Sequence, residues 1–397
     1  MLSVDDAIRR IVAAASLIDS ESVPLDQGFR RVLARDVVAR VDQPPAPVSA
    51  MDGYAVRIAE TTNPPVTLRV AGAAPAGHTF TGALAPGDAI RIFTGGVVPE
   101  GLDGIVIQED ADAVGDHVTL SVAGAARHIR KARTDFAKGQ VLVAAGRRLS
   151  ARDLALIAAG DTPTIEVRRK PRVTFVATGD ELSPPGTPRG AGSIVASSGY
   201  ALAPLIAQWG GEPVDLGILP DAVDALQNIV DVAAKADVIV TMGGASVGDH
   251  DLVQRALAPM GFALDFWKIA MRPGKPLIFG ALRGKPFLGL PGNPVSSFVC
   301  ALLFLRPLIA GLLGTELDDT RIRARLATAL PANDTRQDHL RARLVRRGGE
   351  IWAEPLPIQD SSMQSALALA DALLIRPPHA AAANTGDWVE ALSLEGC

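Results

Sequence analysis

The sequence predicts a multidomain α/β protein built around a doubly wound sheet. A discontinuous helical domain with a β insertion precedes the sheet, and a small β domain follows it. Three observations carry this expectation. From about 171 to 315, short β-branched apolar runs alternate with helix-length segments, as parallel strands alternate with crossover helices. From about 44 to 146 the character changes to short β-prone stretches separated by Gly, Pro and Asp clusters, with a helix start on either side. Finally, 397 residues exceed one ordinary core, so two to four domains are expected.

In chain order, Ser3 is an N-cap with Asp6 at the capping-box position, and Ile8, Ile11, Val12 and Ala15 form an apolar face. Strands are expected at Val66–Val70, Ala89–Ile92, Gly104–Gln108 and His117–Val122. A second helix starts at Ser150 with Asp153 and closes at Gly160. A β module between two helical segments reads as an insertion. In the α/β region, strands are expected at Val173–Ala177, Val214–Leu219, Val238–Thr241, Leu277–Phe279 and Phe287–Leu290. Helices are expected over about 198–209, 221–235, 251–260 and 294–313. Ile322–Leu326, Arg341–Arg346 and Ile351–Ala353 alternate as strands of the last domain.

Composition narrows the function classes. A net charge of −4 leaves no basic footprint for bulk nucleic-acid binding. No signal-like apolar segment opens the chain and no membrane span is expected, so a cytoplasmic location is the default. Two cysteines make no disulfide framework; Cys300 lies in an apolar stretch and reads as a buried thiol. There is no Gly-x-x-x-x-Gly-Lys-Ser/Thr loop, no Gly-x-Gly-x-x-Gly fingerprint and no zinc spacing.

The most informative stretch is Val238–Asp251. A buried-strand run breaks into a loop carrying Gly243, Gly244, Ser246 and Gly248, and a helical pattern follows. Strand, glycine loop and helix let backbone N–H groups surround a phosphate. Asp249 and Asp251 would repel an anion unless a cation lay between them, which points to a phosphorylated ligand held with a divalent metal such as Mg²⁺.

Other strand ends carry polar residues. Val173–Ala177 runs into Thr178-Gly-Asp-Glu181; Glu181 is a metal or substrate contact, or a charge complementing a helix N-terminus. Leu288–Leu290 ends in Pro291-Gly-Asn293-Pro294, either an ordinary helix-opening turn or a pocket wall. Lys268, Arg272 and Lys275 are a solvated charge run or an oxyanion site. Ser49-Ala-Met-Asp52-Gly-Tyr and Arg91-Ile-Phe-Thr94-Gly are further concentrations, and Arg130 and Asp135 lie where the insertion rejoins the helical flank.

Seven of these stretches in one order resemble the molybdopterin molybdenumtransferase (MoeA) family, shared by the C-terminal part of gephyrin. They are Ser49-Ala-Met-Asp-Gly-Tyr-Ala55, Arg91-Ile-Phe-Thr-Gly95, Pro99-x-Gly101-x-Asp103, Thr178-Gly-Asp-Glu-Leu182, Gly243-Gly-Ala-Ser-Val-Gly248, Arg272-Pro-Gly-Lys-Pro276 and Pro291-Gly-Asn-Pro294. The resemblance implies a discontinuous helical domain from 1–45 and 139–169, a β insertion at 46–138, a doubly wound MogA-like molybdopterin-binding domain at 170–315 and a small β-barrel-like domain at 316–397.

It further implies Mg²⁺-dependent molybdenum insertion into adenylylated molybdopterin from molybdate, with release of AMP. The family is homodimeric, with the cleft shared between subunits. A molybdopterin adenylyltransferase and cofactor-accepting molybdoenzymes or chaperones are further implied partners.

By motif, Glu181 and Asp251 would handle metal or phosphates, while Asp52, Asp135, Thr94 and Arg130 would come from the partner's insertion. Lys268, Arg272 and Lys275 would bind oxyanions; Gly243, Gly244 and Ser246 the pterin phosphate region; Asp221 is a further acidic position, and Pro291, Asn293 and Pro294 would shape the pocket. The chain departs from the family at Ser197-Ser198, Arg133-Thr134 and Asp360, and carries Arg272 where some members have lysine. A molybdopterin adenylyltransferase and a non-catalytic carrier or scaffold are the rival readings.

Overall fold

The computed structural model describes residues 1–227, 229–230, 234–243, 250–395 and 397, without the side chains of 250–252 and 254. The chain forms two compact units, one of residues 1–21 and 168–397, the other of 22–167.

In the larger unit a six-stranded sheet runs in the order Glu212–Leu219, Arg172–Thr178, Val238–Met242, Lys285–Leu290, Pro276–Leu282, Phe262–Lys268. The first four strands are mutually parallel and the last two antiparallel. Both faces are covered, which is why Val238–Met242 is buried at every position and reads as an unbroken apolar run. On one face Val176, Ile239 and Phe287 pack with Leu226, Val253 and Leu257. Helices Ser198–Gln208 and Pro294–Cys300 pack against each other and contact the strands Arg172–Thr178 and Lys285–Leu290.

All five expected strands of this region are present. The strand Phe262–Lys268 is an addition to the expected elements; its burial alternates only loosely and it follows Gly261 at φ +94°, so it carries no clear strand pattern. The expected helix at 294–313 is one continuous rod with a π-helical segment at Ala301–Leu305. That segment precedes Pro307, whose missing N–H interrupts the regular ladder. This rod is long and apolar enough to span a membrane, but 78% of its apolar window is buried inside the protein, as expected of a core helix.

The N-terminal helix Val4–Ala13 is capped by Ser3, whose Oγ accepts from Asp6 N. Its buried face is Val4, Ala7 and Ile11, packed toward Arg306–Leu313. The expected face was rotated: Val12 is 38% exposed, because the partner helix meets the i, i+3, i+7 stripe that starts at Val4.

The C-terminal region is a closed five-stranded barrel: Gln337–Arg347, Glu350–Pro355, Arg321–Leu326, Trp388–Ser393 and Ala372–Arg376, the last pairing back to the first. The alternating apolar residues Leu340, Ala342 and Leu344 belong to its core. The two strands that close it were not read from sequence. A two-residue strand, Met271–Arg272, joins the barrel in parallel beside Gln337–Asp338.

In the smaller unit, six strands run in the order Gly104–Ile107, Gly53–Val56, Asp88–Ile92, Val66–Ala74, His117–Leu120, Ala111–Val114. The helix Ala151–Ala159 carries a full capping box between Ser150 and Asp153.

One half-buried ion pair ties the sheet's amino end. Arg169 forks onto both oxygens of Asp237 at 2.9 and 3.1 Å, and Arg172 N donates to the same carboxylate at 2.7 Å. Burial pushes the Asp237 carboxyl up, but the Arg169 fork and the Arg172 N–H outweigh it and hold the group below its ordinary value. A folded-state pKa below the unfolded one adds stability above about pH 4 that is lost as pH falls through the folded value. Asp237→Asn should therefore destabilise the protein by about 1–3 kcal/mol at pH 7. The gap from the wild type should narrow on acidification below about pH 4, read from thermal melts at a series of pH values.

Candidate functional site

The strands Arg172–Thr178, Val238–Met242 and Lys285–Leu290 are adjacent and parallel, so their carboxyl ends open together. The chain order along the sheet reverses between the first and third strands in sequence, the switch point where doubly wound sheets bind ligands. A cleft of about 930 Å³ lies there, within the usual volume of a small-molecule site.

Backbone geometry makes its floor. Gly243 has φ +105°, and a Cβ on it would lie 2.3 Å from the Thr178 carbonyl oxygen. Its N–H donates to Leu290 O at 3.1 Å. Only glycine allows three strand ends to approach this closely. Gly274, with φ +106°, passes equally close to Cys300, where a Cβ would stand 2.5 Å from Sγ. Cys300 is fully buried, and burial pushes its thiol up, so it packs rather than reacts.

Eight of the sequence-predicted site residues line this cleft: Glu181, Asp221, Gly243, Arg272, Lys275, Pro291, Asn293 and Pro294. Thr178 also lines it, with a buried Oγ1 that has no hydrogen-bond partner among the described residues. The remaining wall comes from the barrel side: Arg336, Gln359, Asp360, Ser361, Ser362 and Gln364. Asn293 Nδ2 donates to Ser361 Oγ at 2.8 Å and Gln364 Nε2 to Ser197 Oγ at 2.8 Å, so the two walls are stitched by side chains. Ser198 and Asp360, both departures from the family pattern, also line the cleft.

Lys268 lies on the edge strand with its ammonium 3.5 Å from the Trp267 ring centroid, and is not among the cleft residues. Gly244, Ser246 and the Asp251 side chain lie outside the described residues.

The other predicted residues lie in the smaller unit. Asp52 Oδ1 accepts from Thr94 N at 2.7 Å and Thr94 Oγ1 at 2.8 Å. These two bonds, backbone first, hold the Asp52 carboxyl below its ordinary value, with the Arg91 charge adding to them. Arg91 sits over the Tyr54 and Phe93 rings at 5.1 and 4.9 Å. Fully buried Ser49 is the hub: its N–H donates to Gly96 O, its carbonyl accepts from Gly95 N, and its strand pairs with Ile129–Arg130. Arg130 is exposed beside this hub, and Asp135, also exposed, donates its N–H to Gln43 O at 3.0 Å.

Sequence reading missed Asp334, Asp338 and Arg341. Arg341 is fully buried, although strand alternation places it outside the barrel. The segment 358–360 covers it; Nη2 donates to Asp360 O at 3.1 Å, while Nε and Nη1 find no partner among the described residues. Burial pulls its pKa down and the Asp360 charge opposes this. No local signal marks such burial, since the covering segment comes from elsewhere in the chain.

Among the described residues no cluster of three or more His, Cys, Asp or Glu could hold a metal. Glu181 and Asp221 do offer carboxylate oxygens on the cleft wall. That donor chemistry fits Mg²⁺, which takes one or two carboxylates and completes its shell with water and substrate phosphate.

A glycine-floored cleft at the switch point, with carboxylates on its wall and basic side chains around it, defines a binding domain for an anionic small molecule. The comparisons narrow that class. Residues 2–160 match the MoeA N-terminal region (domain I and II), 174–311 a probable molybdopterin binding domain, and 323–394 the MoeA C-terminal region (domain IV). A molybdopterin molybdenumtransferase of Nostoc sp. is 39% identical over 305 residues, covering 75% of this chain and 70% of the relative. Another from Haemophilus influenzae is 34% identical over 80% of this chain and 79% of its own length. The crystal structure of a molybdopterin biosynthesis MoeA protein from Pyrococcus horikosii superposes with a TM-score of 0.87 at 30% identity, covering 100% of both chains. The chain belongs to the molybdopterin molybdenumtransferase (MoeA) family.

Replacing Thr94 with valine removes one of the two hydrogen bonds that depress Asp52. Thr94→Val should raise the Asp52 pKa toward the ordinary carboxylate range, followed by the side-chain carboxyl ¹³C shift on titration.

Proposed function

We propose that this chain inserts molybdenum into adenylylated molybdopterin, taking molybdate as substrate and releasing AMP to leave molybdenum cofactor. The carrying observation is the switch-point cleft itself, which places Glu181 and Asp221 with Arg272, Lys275 and Arg336 around a bare-backbone floor. Oppositely charged groups suit a substrate that is a phosphoanhydride at one end and meets an oxyanion at the other.

Each residue then has a role in this reading. Gly243, Gly244 and Ser246 receive the pterin phosphate region through backbone N–H groups and a hydroxyl. Lys275 and Arg272 bind oxyanions, with Lys268 further out, and Pro291, Asn293 and Pro294 shape the pocket against the pterin. Glu181 and Asp251 would hold Mg²⁺, which when bound neutralises phosphate oxygens as the anhydride is hydrolysed. Asp52, Thr94, Arg130 and Asp135 of the partner subunit complete the site in a homodimer. The depressed Asp52 is an acceptor throughout the neutral range, suited to orienting a hydroxyl or a water rather than donating a proton.

The test is AMP release from adenylylated molybdopterin by purified protein with Mg²⁺, with and without molybdate. Molybdate-dependent release with metal appearing on the pterin is expected; tight binding without release would make the chain a carrier. Glu181→Ala and Asp52→Ala should each lower turnover by at least about 100-fold with an unchanged circular dichroism spectrum. Full activity in either removes that residue from the mechanism.

A further inference from the structure

Arg272 is a cleft cation outside the barrel whose geometry is imposed by barrel-side carboxylates. Its Nε donates to Asp338 Oδ1 at 2.9 Å and its Nη2 to Asp334 Oδ2 at 3.1 Å. Asp338 is only 8% exposed, and Arg272 is the ion-pair partner it has among the described residues. Asp334 also accepts from Arg336 Nη2 at 3.1 Å, and the Arg336 N–H, its guanidinium and the Arg272 charge hold its carboxyl low. The backbone reinforces this. Arg272 stands in register with Asp338 in a parallel pair, and Gln337 N donates to Ala270 O at 2.9 Å.

A guanidinium has five N–H groups in one plane. Here the edge formed by Nε and one Nη2 hydrogen is taken by the two aspartates. The end edge, one hydrogen each from Nη1 and Nη2, is left, and two parallel N–H groups match two oxygens of a tetrahedral oxyanion. The charges of Arg272, Arg336, Asp334 and Asp338 cancel, so this cluster contributes direction more than field. Lys275 has no ion-pair partner among the described residues and supplies a positive charge outside this cluster.

We propose that Asp338 and Asp334 are positioning residues that aim the end fork of Arg272 at the incoming oxyanion. This rests on the molybdate reading of the cleft. It also explains a departure from the family pattern, since a lysine at 272 would keep the charge but could not be held by one edge while presenting another.

The test uses the full-length protein and molybdate alone as probe, by titration calorimetry, with the molybdate KM and kcat measured in parallel. Asp338→Asn should weaken molybdate binding and raise KM by about tenfold, with kcat at saturating molybdate within about threefold of the wild type. Arg272→Lys should show a similar weakening, and the Arg272→Lys/Asp338→Asn double variant no further loss, because the pair acts as one unit. Asp334→Asn, at a half-exposed site, should show a smaller effect of the same kind and guards against misfolding of the buried variant. Unchanged binding in both aspartate variants overturns the inference alone. So does a lowered Tm in both with KM untouched. Absence of molybdate binding by the wild type would overturn the functional reading and this inference with it.

Discussion

The close approach of Gly243 to Thr178 and Leu290 is the constraint on which the site depends. Three parallel strands end side by side, and their backbones meet with less space than one methyl group requires. The sheet can therefore present bare N–H and C=O groups at its carboxyl edge, and the chain must leave that edge in loops. Those loops bring Glu181, Asp221, Asn293 and Pro294 to one cleft although they are separated by more than a hundred residues. The apolar cost of opening a cleft here is small, because the buried strands and the helix rod behind them already complete the core.

The barrel is the second wall rather than an appendage. Its first strand pairs with Met271–Arg272, its 358–364 segment hydrogen-bonds to Asn293 and Ser197, and Arg341 is buried beneath that segment. A fully buried guanidinium with two nitrogens unpartnered among the described residues is costly, and such costs persist where surrounding structure enforces them. His339, beside it in the same strand, is also buried, which pushes its pKa down to about 4 and keeps the ring neutral at physiological pH. Both side chains are buried behind the wall-forming segment.

The smaller unit solves a different problem with the same means. Asp52 is not placed by a strand end but by Ser49, whose backbone is bonded on both sides and whose hydroxyl donates to Met51 O at 2.5 Å. Its carboxylate and Thr94 then lock each other. The Ser-Ala-Met-Asp-Gly-Tyr stretch is thus a structural hub carrying one chemically exposed group, which is why it looked in sequence both like a turn and like a motif.

Local physics made much of this legible beforehand. Unbroken β-branched runs identified the central strands, because burial on both faces leaves no polar position. Capping pairs at Ser3 and Ser150 are likewise short-range signals, and the polar and glycine-rich strand ends marked Glu181, Gly243, Pro291, Asn293 and Pro294 of the cleft. What the sequence could not decide is what depends on segments meeting from far apart. The edge strand at Phe262 and the two closing strands of the barrel gain their identity from pairing partners. The rotated face of the first helix follows from the helix it packs against. Arg341 alternates as an outward residue and is buried only because 358–360 folds over it. Arg272 reads as one of three free cations, and only the barrel's Asp338, sixty-six positions on, makes it a directed fork. Covalent neighbours determine period and propensity; which charge is paired, and which way it points, is decided by the tertiary contacts that remove water from one side of it.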